Sequence, residues 1–371
     1  DKAVAVKKAA RGKRPGEIAW VTDLSDVPPE VPLLKRGRYT EPGDAVAAAA
    51  PGVLCDAGES LLVAPPESGA RTTGRRLAFA RWATRPNSRA AALLARVQAN
   101  RIWMWHFGRG LVDTPENFGA RGLAASHPEL LEWLAWRFVH SGWSTKALHR
   151  EIMLSQAFRQ GMQPTREALA VDPENRLLWG YPVHRLASEA VRDAMLVAAG
   201  KLDRQSGGPA VDYERTPDGQ SFVPADGADS STSSSRRSVY LRHRRSEPIT
   251  FLQTFDQATA EPSCIRRSAA TVVSQSLAML NSRFANVVAM RFARRVASES
   301  GATVADRIRL AFFIAYSRET TQAELTEAQA FVESQMARYR AAGSQNDAAA
   351  ESALIDFCQA LLASNEFLYV H

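Results

Sequence analysis

The stretch "RAAALLARVQANRIWMWHF" (89–107) decides the fold class. At about 100° per residue, Leu93, Val97, Arg101 and Trp105 share one face, and Leu94 and Ile102 sit beside it. Apolar side chains therefore cover much of the circumference, and a buried helix is expected. The run continues through "FGRGLV", so that Trp103, Trp105 and Phe107 are expected to anchor the helix in a core while the glycines permit a turn.

Working outward, "SHPELLEWLAWRFVH" (126–140) reads as a second helix. Ser126 and Glu129 have capping-box spacing, and Pro128 sits in the first turn, where its missing N–H costs nothing. Leu130, Leu134 and Phe138 form an i, i+4, i+8 stripe, which Leu131, Trp133 and Trp136 are expected to widen. Gly142 ends this helix, and Ser144 caps another through "TKALHREIMLSQAF". "HRLASEAVRDAMLVAAGKL" (184–202) is helical with Gly200 just past its end. The final third returns to helices, among them "TQAELTEAQAFVESQMARYR" (321–340), opened by Thr321 and Glu324. In the last, "ESALIDFCQALLASNEFLYV", Cys358 lies in an apolar face and is expected in the core.

The remaining segments are not helical. The opening part is rich in Pro and Gly, with short apolar runs such as Ile18–Val21 and Val31–Leu34 between turn formers, which predicts extended pieces. "ADGADSSTSSSRRS" (225–238) is polar and of low complexity, and "SVYLRHR" after it predicts a strand. The fold class is mainly α. The organisation expected is an extended, partly β arm over 1–69 and a multi-helix globular domain over 70–371, with a loop at about 225–238 and a small β element near 237–245.

Composition narrows the function classes. Apolar residues make up 45% and charged ones 23% of the 371 residues, and no run approaches the ~18 apolar residues of a membrane span. The net charge of +7 is concentrated at one end. Residues 1–14 carry six cations, Lys2, Lys7, Lys8, Arg11, Lys13 and Arg14, against Asp1, leaving the other 357 residues at about +2. A nearly balanced body argues against a nucleic-acid-binding surface. Lys7, Lys8, Arg11, Lys13 and Arg14 are instead candidate interaction residues, as a docking strand or a site for an acidic polysaccharide. Cys55, Cys264 and Cys358 lie too far apart for a zinc pair, and there is no C-x-x-C-H haem-attachment motif. The opening "DKAVAVKK" has no apolar signal region, as expected of a processed product.

Chemical motifs are sparse. Phosphate-loop, dinucleotide, esterase-elbow and zincin signatures are all missing. His106 lies where a helix gives way to a Gly-rich loop, and a half-buried structural histidine is the competing reading. Asp113, with Glu116, lies in the loop "FGRGLVDTPENFGARG". Glu189 and Asp193, spaced i, i+4, put two carboxylates on one helical face, as acid–base chemistry needs; pairing with Arg185 and Arg192 is the bland alternative. His127 is a candidate metal ligand only through a superficial H-x-E match. The cluster Arg236, Arg237, Arg242, His243, Arg244 and Arg245 would be split between the two faces of a strand.

The segments "ARVQANRIWMWHFGRGLVDTPENFGARGLAASHPELLEWLAWRFVHSGWSTKALHREIMLSQAFRQ", "DPENRLLWGYPVHRLASEAVRDAMLVAAGKLD", "RSVYLRHRRSEPITFLQTFDQATAEPSCIRRSAATVVSQSLAMLNSRFA" and "RIRLAFFIAYSRETTQAEL" resemble, in order, the planctomycete-type PSD1 domain, also called DUF1553. The likeness covers most of 70–371. It departs at "RPNSRAAALLARV", where relatives run from Asn-Pro straight into the helix. The resemblance implies an exported protein of the periplasm or cell envelope, of a kind that occurs with DUF1549 and cytochrome-c-like domains and has no established biochemical function. With no haem motif, no cofactor is expected on this chain, and haem is expected only on a partner, such as a c-type cytochrome, or on a missing domain. The reading favoured is a non-catalytic scaffold or interaction subunit working with other protein subunits. The alternatives are a polysaccharide-active hydrolase using His106, Asp113, Glu189 and Asp193, and an acidic-polymer binding module.

Overall fold

The computed structural model describes residues 29–56, 63, 72–162, 164–224, 233–258, 264–267 and 270–370. These form two compact units, one over Glu17–Pro182 and one over Val183–His371. Fourteen α-helices and three two-stranded sheets among the described residues make the protein mainly α, as expected.

In the first unit the Pro/Gly-rich arm contributes a hairpin, β1 (Val31–Leu34) with β2 (Pro42–Val46), in which Val31 faces Val46. Four longer helices follow: α1 (Arg75–Ala83), α2 (Arg89–Phe107), α3 (Pro128–His140) and α4 (Thr145–Leu154). Two short ones, α5 (Gln156–Arg159) and α6 (Arg166–Val171), complete the unit. Ser88 caps α2 by accepting from the Ala91 N–H, and Gly108 ends it at φ 71°. Against α1, α3 and α4, α2 turns its small face, with Ala91, Ala95 and Ala99 almost fully covered. Alanine lets neighbouring helices approach closely, so the buried side of α2 is the alanine side. The leucine side, Leu93 and Leu94, is only half-buried.

Three expectations are corrected here. Trp105 is 61% exposed, whereas Trp103 and Phe107 are buried and stacked, with ring centroids 4.1 Å apart. The capping box at Ser126 does not form. The residue before Pro128 is the cap of α3, so the spacing would have to run from His127, and the Ser126 hydroxyl instead lies 3.0 Å from His127 Nδ1. Trp133 and Trp136 do not widen the apolar stripe either. They lie about 150° around the helix from the centre of the face made by Leu131, Leu134 and Phe138, and are half exposed.

The second unit is closed by its own ends: β3 (His184–Arg185) pairs antiparallel with β6 (Tyr369–Val370). Between them come α7 (Ser188–Ala198), the pair β4 (Glu214–Arg215) and β5 (Ser221–Phe222), and α8 (Thr250–Thr254). Then follow α9 (Val273–Asn281), α10 (Arg283–Glu299), α11 (Val304–Tyr316), α12 (Gln322–Ala341), α13 (Asn346–Leu362) and α14 (Asn365–Leu368). α10 and α12 both pack on α13, and Phe292, Val296, Ala353 and Cys358 are completely or almost completely buried among them. Burial pushes the Cys358 thiol far above its ordinary range, as expected of a core cysteine. "SVYLRHR", expected to be a strand, is realised as a 3₁₀ turn over Ser238–Tyr240 with isolated bridges at Arg236 and Leu241. Among the described residues no helix is long and apolar enough to cross a membrane.

Candidate functional site

In the first unit His106 Nε2 lies 2.7 Å from Nδ1 of His149. The last turn of α2 supplies His106 and α4 supplies His149. Phe158 stands edge-on to His106 at 5.4 Å, Trp105 stacks over His149 at 6.3 Å, and the Tyr181 hydroxyl donates to the His106 carbonyl at 2.7 Å. Burial, with the charge His149 carries when protonated, holds His106 below the ordinary histidine value. One N–H must face one lone pair across a 2.7 Å contact, so the pair shares a single proton and can pass it.

Among the described residues no carboxylate or nucleophilic side chain bonds the pair. Asp113 is tied instead to Arg109 at 3.1 Å. His127 bonds Ser126, and among the described residues no group of three or more His, Cys, Asp and Glu side chains could hold a metal ion.

The loop after α2 is fixed by Asn100, which is completely buried. Its Nδ2 donates to the Val112 carbonyl at 2.9 Å, and its Oδ1 accepts from the Val112 N–H at 2.8 Å. A Cβ at Gly110 would lie 2.7 Å from Asn100 Nδ2 and 2.5 Å from the Val112 carbonyl oxygen, so this turn requires glycine. Neither Asn100 nor His149 is singled out by spacing or composition; each partner lies too far along the chain for a local pattern.

In the second unit the first turns of α7 gather the segments that carry the family resemblance. Arg185, buried, pairs with Asp256 at 2.5 Å and also donates to the Phe255 carbonyl. Glu189 accepts from Arg267 at 2.5 Å and from the Ser188 hydroxyl at 3.0 Å. Burial raises the Glu189 carboxyl, but Arg267, its own backbone N–H and Ser188 together outweigh it and hold the group below its ordinary value. Asp193 Oδ1 accepts both the Ser238 N–H at 2.8 Å and the Ser238 hydroxyl at 2.7 Å, with Arg192 at 3.6 Å and Arg237 at 3.9 Å. Arg192 donates to the carbonyls of Ser234 and Arg236. The carboxylates at 189 and 193 thus share a helix, but each is committed to a different segment. The expected pairing with arginines holds for Asp193 and Arg192 and differs for the other two: Arg185 takes Asp256, and Glu189 takes Arg267.

The basic cluster is dispersed in the same way. Arg236 is buried, donates to the Pro209, Gln205 and Gly207 carbonyls, and lies 3.9 Å over the Tyr240 ring. Arg242 and Arg244 reach Asp212 at 3.4 and 2.7 Å. The five cationic candidates at 7, 8, 11, 13 and 14 lie outside the described residues.

No curated protein and no solved structure matches the chain. A family model described as PSD1, protein of unknown function (DUF1553), matches residues 75–332, a span that takes in both the histidine pair and the α7 network. With well over half its length matched in one continuous run, the chain belongs to the PSD1 (DUF1553) family.

Proposed function

We propose that this protein is a non-catalytic helical scaffold, an interaction subunit of an exported bacterial envelope assembly in which haem is carried by a c-type cytochrome partner. The observation that supports it is how the chain uses its polar and aromatic groups. The candidate carboxylates Asp113, Glu189 and Asp193 are held by arginines or by Ser238. Trp105, Trp133 and Trp136, meanwhile, are each about half exposed or more. Large aromatics in water are costly to a free surface and are the residues that dominate protein–protein contacts. Trp136 also packs at a tilt against His140, with ring centroids 4.2 Å apart, which holds the ring in place before any partner arrives.

The test is native mass spectrometry of the protein purified from its source envelope, with haem absorbance read on the same sample. Recovery at fixed stoichiometry with a haem-bearing subunit, lost in Trp133→Ala/Trp136→Ala while the melting temperature is kept, is the expected result. A lone chain that hydrolyses envelope polysaccharide, with activity abolished by Glu189→Gln, would overturn it in favour of the hydrolase reading.

A further inference from the structure

A cleft of about 250 Å³ opens in the second unit between β5, α8, α9 and α10. Its floor is apolar, made by Leu196, Ile249, Phe251, Phe284 and Val288. Three arginines, Arg192, Arg283 and Arg291, line it, and among the described residues no acidic side chain does. Arg283, Val287 and Arg291 are spaced i, i+4, i+8 on α10, so one stripe of that helix brings two cations and an apolar residue to the same opening.

The two α10 cations differ from their neighbours on the helix. Arg294 pairs with Glu351 at 3.2 Å and Arg295 with Glu299 at 3.0 Å. Neither Arg283 nor Arg291 has a carboxylate in ion-pair range among the described residues; Arg283 lies over the Phe222 ring at 5.8 Å instead. Around these two arginines no counter-charge stands among the described residues, and positive charge beside an apolar, partly enclosed floor favours an incoming anion. An inorganic anion would leave the floor wet, and a neutral hydrophobe would leave the arginines unanswered.

The geometry points to a binding site for a small amphipathic carboxylate, its apolar body on the floor between α8 and α10 and its head on Arg283 and Arg291. The volume lies just under the ~300–1,000 Å³ of drug-sized pockets, which suits a ligand on the order of ten heavy atoms. This goes beyond the scaffold reading and does not depend on it.

Isothermal titration calorimetry of the full chain with sodium octanoate tests it. The expected result is saturable one-to-one binding that weakens with added salt. Arg283→Gln/Arg291→Gln should weaken it about tenfold or more, and octan-1-ol should bind at least about tenfold less tightly than octanoate. Val287→Trp, which fills the opening, should abolish binding, with circular dichroism confirming that the variant folds; if it does not fold, the two arginine substitutions at the rim decide alone. Octanoate binding no tighter than octan-1-ol, unchanged binding in the double variant, or no saturation below about 5 mM would each overturn the assignment.

Discussion

At the scale of single residues, Trp103 and Trp105 stand two positions apart in one aromatic run and have opposite fates. Trp103 is 5% exposed and stacks on Phe107, while Trp105 is 61% exposed. Trp103→Ala is expected to cost about 3–5 kcal/mol in urea unfolding, because it leaves a cavity beneath α2. Trp105→Ala should stay within about 1 kcal/mol of the parent protein; equal losses would mean that both rings are core. The sequence shows that the run is helical and aromatic. It cannot show which tryptophan is covered, because the alanines at 91, 95 and 99 turn the helix toward its neighbours. His106 makes a pH prediction. Its folded pKa is held below 6.5 by burial and by His149, so below 6.5 the unfolded chain binds the proton more readily than the native one. The stability this contributes is full above 6.5 and falls as pH drops through it. The urea midpoint should be lower at pH 5.5 than at 7.5, and the difference should shrink in His106→Phe. An undiminished difference in that variant would place the titrating group elsewhere.

At the scale of elements, helix ends were the most legible feature, because capping is a local, side-chain-to-backbone affair. Ser144, Thr321 and Gly200 do what their positions announce. Ser126 does not, because Pro128 fixes where the helix starts, and the box that Thr303 forms with Asp306 carries no Glu or Gln to announce it. Strand pairing was harder to read. "SVYLRHR" has strand composition, but Asp193 draws Ser238 into a 3₁₀ turn from 45 residues away. The network at α7 was half legible: two carboxylates at i, i+4 were plain, and their partners at 238 and 267 were not. The capping box of α12 carries the prediction at this scale. Thr321→Ala should cost about 1 kcal/mol. Glu324 Oε2 accepts from both the N–H and the hydroxyl of Thr321, while Arg318 clamps Glu324 and Glu366 together. Arg318 and these hydrogen bonds hold Glu324 at a pKa of about 2 against an ordinary 4.5. The stability the clamp contributes is therefore present above 4.5 and lost as pH falls toward 2. Thermal melts should show Thr321→Ala and Glu324→Gln to be less than additive, since they break a shared bond; full additivity would separate cap from clamp.

At the scale of the whole molecule, the second unit has the properties of a self-sufficient fold. Its hydrophobic cluster is drawn entirely from positions between Val191 and Leu368, with Phe292, Ile308 and Ala353 fully covered at its centre. Its first and last strands pair, so both ends are tied into the same body. Arg295 donates to the carbonyls of Val197 and Ala198, satisfying the end of α7 from within the unit. A segment that buries its own core and satisfies its own helix ends is expected to fold by itself. Residues 183–371 expressed alone should therefore give a helical circular dichroism spectrum and one cooperative melt. The two cysteines of this segment supply an independent readout, since Cys264 is exposed and Cys358 is fully buried with its thiol pKa raised. A thiol reagent should modify one group at once and reach the second only as denaturant opens the core. Two rapidly reacting thiols, or a melt without cooperativity, would mean that the cluster around α13 needs residues 17–182 to form.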